Sequence, residues 1–492
     1  SIDLMERAAS KLAWWITKYY KTDRKVLIIA GPGNNGGDAL ALSRILMQRQ
    51  YEVEPYLITT SGKLSADCDF NKRRLSREFD IEPVLINDDK AFPEIGAYDL
   101  VIDGIFGSGL SRPAAGIYGS IIRYLNASGV EIVSIDIPSG LMGEDNREND
   151  VSSIIRANHT LTFQFPFLSF LFADNANYTG KWHILDIGLH PQKIEEMPAS
   201  YTISTKNDID KLLINRKRHS HKGSYGHVIC IGGSYGMLGA ALLAGNSALR
   251  AGAGLVTLHV PSCGVEVVQT AFPEAIVNAD QSEKYISQVP DISKYSAVAI
   301  GPGIGKETKT ADVVKDVLVS MKNKGKSLVI DADALNIISE NSGFTELLPK
   351  GCILTPHPIE FDRLAVNSKD CFSRHENQIA FSKKYQVVVV LKGAYTGISF
   401  PDGRYLFNTS GNPGMASGGS GDVLTGIIVS LLAQGMDTYS ATVSGVYLHG
   451  VAGDLAAEKY GMEALIAGDL VKHLGNAFKK VRSKPFFHEG RL

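Results

Sequence analysis

An acidic residue closes a glycine-rich turn at residues 411–422, directly before an apolar stretch at positions 423–432. The turn contains five glycines and two serines and ends at Asp422. Backbone N–H groups of such a turn can face an anion, and the start of a following helix adds the positive end of its dipole. An aspartate beside an anion can take a proton from a hydroxyl that reacts with phosphate. The pattern indicates phosphate chemistry with Asp422 as the base; the alternative is a surface turn in which Asp422 only caps a helix.

Other predicted strands in the second half of the chain also end in polar side chains. His357 stands between two prolines, which favours an extended backbone there, and a structural histidine is the alternative. Lys392 could neutralise a phosphate or be a solvated lysine. Asp331 and Asp333 could carry Mg²⁺ through water or cap a helix. Because the carboxyl ends of parallel strands meet at one edge of a sheet, we expect these loops to converge on the glycine-rich turn.

The first half of the chain has a second set of polar strand ends. A predicted strand leads into the glycine-rich residues 31–38, which match neither a dinucleotide fingerprint nor a Walker A loop. Later strands end at Asp103 and at the pair Asp136 and Ser139. Asp103, Ser139 and Asn35 would offer an oxygen-only ligand set of low charge, which suits a monovalent cation or Mg²⁺ better than zinc. A single aspartate at a strand end is more often a helix cap, but three such ends in one sheet favour a site.

Composition restricts the class of protein. With 492 residues, two large domains are expected, and 44% hydrophobic with 21% charged residues is typical of a soluble globular chain. The net charge of −2 gives no basis for nucleic-acid or anionic-membrane binding. The five cysteines include no C-x-x-C pair, which favours a reducing, cytoplasmic location. The sequence shows no membrane-spanning apolar run and no signal peptide.

Strand-like and helix-like segments alternate throughout, which predicts an α/β protein with a domain boundary near residues 190–222. Specific motifs then resemble two domain families. The first half is similar to the YjeF N-terminal domain, the NAD(P)HX epimerase, through Leu4-Met5-Glu6, residues 31–38, 103–104, 107–109 and 136–140. The second half is similar to the YjeF C-terminal domain, a ribokinase-like ADP/ATP-dependent NAD(P)HX dehydratase, through residues 222–227, 301–305, 331–336, 355–358, 392–393 and 412–422. The resemblance implies a Rossmann-like three-layer sandwich at residues 1–205 and a ribokinase-like α/β domain at residues 206–492.

This resemblance implies a bifunctional enzyme that repairs hydrated NADH and NADPH, together written NAD(P)HX. The first domain would interconvert the R and S epimers. The second would dehydrate the S form to NAD(P)H at the expense of ADP, giving AMP and phosphate, with Asp422 removing the proton of the ring hydroxyl. A homo-oligomer that binds NAD(P)HX and ADP is expected, with no nucleic-acid or membrane partner. The sequence leaves open ADP against ATP, NADHX against NADPHX, and the identity of the cation.

The resemblance also assigns site residues. Epimerase substrate contacts are expected at Asn34, Asn35, Gly36, Gly37, Asp38, Gly107, Ser108, Gly109, Leu110, Ser111, Arg112, Pro113 and the catalytic Asp136. K⁺ is expected at Asn35, Asp103 and Ser139. The nucleotide, with Mg²⁺, is expected at Lys392, Gly393, Ala394, Tyr395, Thr396, Asn412, Pro413, Gly414, Met415, Ala416, Ser417, Gly418, Gly419, Ser420 and Gly421. NAD(P)HX at the dehydratase is expected at Gly252, Gly305, His357 and the catalytic Asp422.

Two other interpretations use the same sequence. One is a ribokinase-like small-molecule kinase fused to a nucleotide-binding domain, which would make a stable phosphorylated product. The other treats the first half as a non-catalytic nucleotide-binding or RNA-processing scaffold, which would not need Asp136, Asn35 or Asp103. Members of the family usually carry a further helix before the Leu4-Met5-Glu6 motif. We expect its absence from the printed sequence to affect packing or dimer contacts and not the active-site loops.

Overall fold

The structure, a computed structural model, describes residues 2–60, 62–324 and 327–483. It divides into two compact units, unit 1 (Ser1–Pro198) and unit 2 (Ala199–Leu492). Our sequence prediction placed the boundary between residues 205 and 206, and the structure gives the short strand Tyr201–Ile203 to unit 2. In the ranges described, no helix has both the length and the apolar character that crossing a bilayer requires.

The described part of unit 1 has a sheet of seven parallel strands in the order β3-β2-β1-β4-β5-β6-β7. The strands are β1 (Lys25–Ala30), β2 (Glu52–Ile58), β3 (Val84–Ile86), β4 (Leu100–Gly104), β5 (Glu131–Ile135), β6 (His159–Phe163) and β7 (Lys181–Leu185). The helices are α1 (Ile2–Tyr19), α2 (Asn34–Gln48), α3 (Ala66–Phe79), α4 (Ile117–Ala127), α5 (Ala176–Thr179) and α6 (Pro191–Glu196).

Strand β1 explains the three layers of unit 1. Val26 and Ile28 contact one apolar core, which includes side chains of α1 and α2, whereas Leu27 and Ile29 contact a second core with α4. A strand covered on both faces needs apolar residues at every position, which accounts for its unbroken run of Val, Leu and Ile. The predicted Rossmann-like three-layer sandwich is confirmed.

The described part of unit 2 has a sheet of ten strands in the order β11-β10-β9-β12-β13-β14-β15-β16-β17-β8. The strands are β8 (Tyr201–Ile203), β9 (His227–Ile231), β10 (Leu255–Val260), β11 (Ile276–Ala279), β12 (Ala297–Ile300), β13 (Ser327–Ile330), β14 (Ile353–Leu354), β15 (Val388–Leu391), β16 (Thr396–Ser399) and β17 (Tyr405–Asn408). The run from β11 to β15 is parallel, and β16 pairs antiparallel with both of its neighbours.

The helices of unit 2 cover both faces of this sheet, as the two apolar cores on its alternating strand residues indicate. They are α7 (Lys206–Leu212), α8 (Leu238–Arg250), α9 (Val265–Ala271), α10 (Thr308–Lys324), α11 (Ala332–Glu340), α12 (Pro358–Leu364), α13 (Cys371–Tyr385), α14 (Ser420–Ala433), α15 (Thr438–Tyr460) and α16 (Ala467–Val481).

Helix α14 is central to unit 2. Its residues from Val423 to Ala433 are all buried, so the apolar stretch of the sequence reflects a helix surrounded by protein. It packs closely on α8 at Gly426, where an added Cβ would lie 2.0 Å from the carbonyl oxygen of Ala244. This fixed helix places Asp422, in its first turn, at the carboxyl edge of the sheet.

Candidate active sites

In unit 1, the ends of β4 and β5 are joined through the buried carboxylate of Asp103. Its Oδ2 accepts hydrogen bonds from Ser134 Oγ at 2.7 Å and from the Ser139 backbone N–H at 2.9 Å. Burial raises the pKa of Asp103, and the hydrogen bonds from Ser139 and Ser134 oppose that rise. Asp103 therefore ties the turn after β5 to the end of β4.

Asn35 connects this pair to the turn after β1. Its Nδ2 donates to the carbonyl oxygens of Phe106, at 2.7 Å, and Ile135, at 3.2 Å. Ser139 Oγ in turn accepts from the Phe106 N–H at 2.8 Å. The structure thus brings together Asn35, Asp103 and Ser139, the three predicted cation ligands.

The glycines of residues 31–38 allow this close contact. A Cβ at Gly31 would lie 1.9 Å from the carbonyl oxygen of Ile105, and one at Gly36 would lie 1.7 Å from the carbonyl oxygen of Gly31. A side chain at Gly31 would push apart the turns that follow β1 and β4, whereas one at Gly36 would disrupt the turn after β1 itself. Gly31 is therefore required by the packing of the two turns against each other, and Gly36 by the tight path of the first turn.

Asp136 lies immediately after β5 with a left-handed backbone, φ 66°. Burial raises its pKa to about 6, and hydrogen bonds from the backbones of Phe163 and Ser108 oppose the rise. Burial together with the charges of Asp136 and Asp67 raises the pKa of Asp38 well above its usual value. The structure therefore places Asp38, Asp136 and the 107–113 loop in one group of interacting residues.

The remaining predicted contacts of unit 1 lie around this group. Gly36 and Gly37 are buried within the first turn of α2, and Asn34 is exposed at its start. The 107–113 loop forms the open side of the group, with these residues exposed: Ser108, Gly109, Ser111, Arg112 and Pro113. Gly107 is closer to the interior, because a Cβ there would lie 3.3 Å from Asn35 Cβ.

In unit 2, Lys392 at the end of β15 lies against the first turn of α14. Its Nζ is 3.0 Å from Asp331 Oδ1 and 4.0 Å from Glu360 Oε2. A Cβ added at Gly421 would lie 3.2 Å from the same Nζ. Asp331 also accepts a hydrogen bond of 2.7 Å from Thr425 Oγ1, so its two oxygens hold different partners.

The protonation states of Asp422, Lys392 and Asp331 depend on their burial and on one another. Burial and the charge of Asp331 raise the pKa of Asp422 to about 7, although Lys392 opposes the rise. Burial lowers the pKa of Lys392, but Asp331 and Glu360 outweigh it and the net shift is upward. Burial likewise raises the pKa of Asp331, and Lys392 and Thr425 outweigh it, so that pKa is lowered. Lys392 and Asp331 are therefore an ion pair, whereas Asp422 titrates near neutrality.

Residues 411–419 lie between the end of β17 and the start of α14. Asn412 Oδ1 accepts from the Gly414 N–H at 3.1 Å and caps the short turn Pro413–Met415. The Asn412 amide nitrogen donates to Asp454 on α15, as does the Gly411 N–H. Gly419 has φ 87° at the start of α14. The other predicted nucleotide segment, residues 392–396, forms the turn from β15 into β16.

Gly305 follows β12 and His357 follows β14, and β13 lies between these two strands in the sheet. His357 caps α12, with its Nδ1 accepting from the Glu360 N–H at 3.3 Å. Gly305 donates its N–H to Asp333 Oδ2 at 3.0 Å, and a Cβ at Gly305 would face Ser234 Oγ at 3.6 Å. Sequence reasoning assigned no role to the turn that holds Ser234, although its glycines directly after β9 were a usable signal.

Gly252 does not join this group, which corrects our sequence prediction. It lies between α8 and β10 and therefore at the opposite, amino-terminal edge of the parallel sheet. A Cβ there would lie 3.1 Å from Gln434 Oε1, at the far end of α14. At 1.5 Å rise per residue, Gln434 is about 18 Å along that helix from Asp422.

No three His, Cys, Asp or Glu side chains gather as a metal cage in the ranges described. The Asn35 group nevertheless offers oxygen ligands that suit a hard monovalent ion: the buried Asp103 carboxylate and the carbonyl oxygens of Phe106 and Ile135, both of which accept hydrogen bonds from Asn35 Nδ2. A divalent ion in unit 2 would depend on ligands from a bound nucleotide.

Comparison with known proteins matches each unit to a protein family. Residues 1–168 match the family model of the YjeF-related protein N-terminus, and residues 228–476 match that of NAD(P)H-hydrate dehydratase. The chain is 35% identical to the bifunctional NAD(P)H-hydrate repair enzyme Nnr of Moorella thermoacetica, covering 96% of this chain and 92% of the relative. It is 32% identical to that of Escherichia coli, covering 96% and 88%.

A solved structure is similar to the second part of the chain. The ADP/ATP-dependent NAD(P)H-hydrate dehydratase from Bacillus subtilis, co-crystallised with ATP and Mg²⁺, has a TM-score of 0.51 and 32% identity. The match covers 57% of this chain and 99% of the other. This likeness agrees with the predicted ribokinase-like fold.

Proposed function

The chain belongs to the family of bifunctional NAD(P)H-hydrate repair enzymes, and we propose that its two units carry the two activities. Unit 1 epimerises R- and S-NAD(P)HX. Unit 2 dehydrates S-NAD(P)HX to NAD(P)H at the expense of ADP, giving AMP and phosphate, or of ATP. The protein acts in the cytoplasm as a homo-oligomer, a proposal that rests on its cysteine usage and on the family.

One observation carries the dehydratase assignment: Lys392 Nζ lies against Gly421, one residue before Asp422, in the first turn of α14. A cation, the N-terminus of a 14-residue helix and a base that titrates near neutrality thus meet at one point. The cation and the helix dipole both favour a phosphate group. This combination supports phosphoryl transfer with proton removal.

The dehydration follows from these positions. Asp422 removes the proton from the ring hydroxyl of S-NAD(P)HX, and the resulting oxygen attacks the terminal phosphorus of the nucleotide. Lys392 and the N–H groups of the turn stabilise the charge on the transferred phosphoryl group. The ring nitrogen lone pair then expels phosphate to give an iminium ion, and loss of a proton to solvent from the adjacent ring carbon leaves the dihydronicotinamide. Residues 392–396 and 412–421 hold the nucleotide, and Gly305 and His357 face the substrate.

Magnesium is expected with the nucleotide, as in the Bacillus subtilis protein. Its chemistry is to neutralise charge on the phosphate oxygens. In the described residues of unit 2, no three His, Cys, Asp or Glu side chains gather as a metal cage, so Mg²⁺ would need ligands from the nucleotide. Asp333, whose charge helps to raise the pKa of Asp422, would be the protein group to contact its water.

In unit 1, Asp136 acts on the reacting ring as the acid–base group, because burial gives it a pKa of about 6. The 107–113 loop and residues 34–38 bind the substrate. Asn35, Asp103 and Ser139 hold K⁺, whose role is to fix the turns that follow β1, β4 and β5. The oxygen-rich surroundings of Asn35 support this assignment.

The experiment that tests this function supplies chemically hydrated NADH with ADP and Mg²⁺, and in parallel with ATP. Recovery of dihydronicotinamide absorbance with release of inorganic phosphate is expected. Asp422→Asn should abolish it, because the amide cannot accept the proton. A stable phosphorylated product without NADH would instead identify a small-molecule kinase. No reaction with either nucleotide would refute the dehydratase proposal.

A further inference from the structure

Asp331 has no assigned role in the reaction, yet it lies at the centre of the charges in unit 2. It is buried, with 1% of its surface exposed. One carboxylate oxygen accepts a hydrogen bond from Lys392 Nζ at 3.0 Å, and the other accepts one from Thr425 Oγ1 at 2.7 Å. Each oxygen of the Asp331 carboxylate is therefore held by a different side chain.

The surroundings of Lys392 contain three carboxylates, those of Asp331, Glu360 and Asp422. The ammonium group of a flexible lysine side chain moves to the carboxylate with which it forms the strongest ion pair. If Asp331 were uncharged, two carboxylates would compete for Lys392: Glu360, whose Oε2 is 4.0 Å from Nζ, and Asp422. A salt bridge with either would draw the ammonium group from the phosphate contact, and one with Asp422 would also remove the free base.

We propose that Asp331 is a positioning residue that holds Lys392 at the phosphate-binding turn and away from Asp422. Thr425 is its second anchor, because the hydroxyl fixes the carboxylate from the adjacent turn of α14. The inference rests on the proposed dehydratase function. It also explains why a buried carboxylate lies beside a site that must bind an anion. Lys392 neutralises the charge of Asp331 and keeps two N–H donors for the ligand.

A double-mutant cycle tests this role. Calorimetry measures the Kd of ADP with Mg²⁺ for the full-length wild type, Asp331→Asn, Lys392→Met and the double variant. Loss of a charge-assisted hydrogen bond weakens binding roughly 10- to 100-fold, and we expect both single variants to lie in that range. Because Asp331 acts through Lys392, the double variant should bind no more weakly than Lys392→Met alone.

Thr425→Val provides a variant that keeps both charges and the buried packing. We expect it to weaken ADP binding several-fold, in the same direction as Asp331→Asn, and to do so only when Lys392 is present. It remains informative if Asp331→Asn does not fold. Thermal melts verify folding of each variant before binding is measured.

The outcomes separate this inference from the proposed function. If the wild type binds no nucleotide, both fall. The positioning role is overturned, and the dehydratase stands, if the wild type binds ADP but Asp331→Asn weakens binding equally with and without Lys392. Where Asp331→Asn does not fold, the same comparison is made with Thr425→Val. Non-additive losses support the role of Asp331.

Discussion

Asp454 on α15 accepts a hydrogen bond of 3.0 Å from the amide nitrogen of Asn412, at the beginning of the glycine-rich turn at residues 411–422. The other carboxylate oxygen of Asp454 accepts from the Gly411 N–H at 3.1 Å. Asn412 uses its own oxygen to cap the following turn at Gly414. One carboxylate on a rigid helix therefore sets the path of a loop that we propose holds the nucleotide.

Removal of that carboxylate should loosen the loop. We expect Asp454→Ala to raise the KM for ADP about tenfold, the effect of losing roughly 1.4 kcal/mol of orientation, with a smaller change in kcat. Asp454→Asn keeps one acceptor oxygen and should have an intermediate effect. Steady-state kinetics at saturating S-NAD(P)HX measures both values. A fall in kcat with an unchanged KM for ADP would contradict a role in placing the nucleotide.

Asp422 should control the pH dependence of dehydration. Its pKa is raised from 3.8 to about 7, mainly by burial, so the base is protonated in acid. The rate should therefore fall as the pH drops below about 7, and the kcat profile of the wild type should report one ionisation there. A kcat profile that stays flat between about pH 5 and pH 8 would exclude Asp422 as the base.

The same raised pKa has a consequence for stability. A folded carboxyl group with a raised pKa stabilises the fold below its unfolded value, and that stability is lost as the pH rises through about 7. Asp422→Asn should therefore be more stable than the wild type at alkaline pH, by up to about 4 kcal/mol, and the difference should shrink toward pH 4. Thermal melts of both proteins across this range measure it. Equal Tm shifts at every pH would indicate a cause unrelated to ionisation.

A substitution at Asp136 must tolerate a left-handed backbone, because its φ of 66° strains most side chains. Asparagine tolerates that conformation, so Asp136→Asn removes the carboxylate without adding backbone strain. With excess unit 2 activity, the variant should consume only the S fraction of an R/S mixture and then stop at the slow spontaneous rate. The amount of NAD(P)H formed over time measures the fraction of the mixture that is consumed. Complete rapid consumption would remove Asp136 from the epimerase mechanism.

Much of the fold could be predicted from local sequence. Strands such as β1 carry continuous apolar residues because helices cover both faces, and the glycine turns after them identify the carboxyl edge of each sheet. The role of Asp331 could not be found in this way. Its partner Lys392 lies two strands away in the sheet, on β15, and nothing within either segment specifies that they form an ion pair.

Gly252 was assigned to the NAD(P)HX site by the family resemblance alone, and the structure places it elsewhere. A glycine after a helix and a glycine after a strand lie at opposite edges of a parallel sheet. The turn with Ser234 follows β9 and faces Gly305, whereas Gly252 precedes β10 and contacts Gln434. The order of helix and strand around each glycine was the information that distinguishes them.

This correction can be tested with a matched pair of substitutions. Gly252 and Gly305 both have left-handed backbones, with φ 108° and 71°, so alanine strains either position by roughly 1 kcal/mol. Both variants should therefore have a lower Tm than the wild type. Only Gly305→Ala should raise the KM for NAD(P)HX, because its new methyl group points toward Ser234 at the carboxyl edge. Gly252→Ala, whose methyl group approaches Arg216 and Gln434, should leave that KM unchanged. A larger rise in KM for Gly252→Ala than for Gly305→Ala would restore Gly252 to the substrate site.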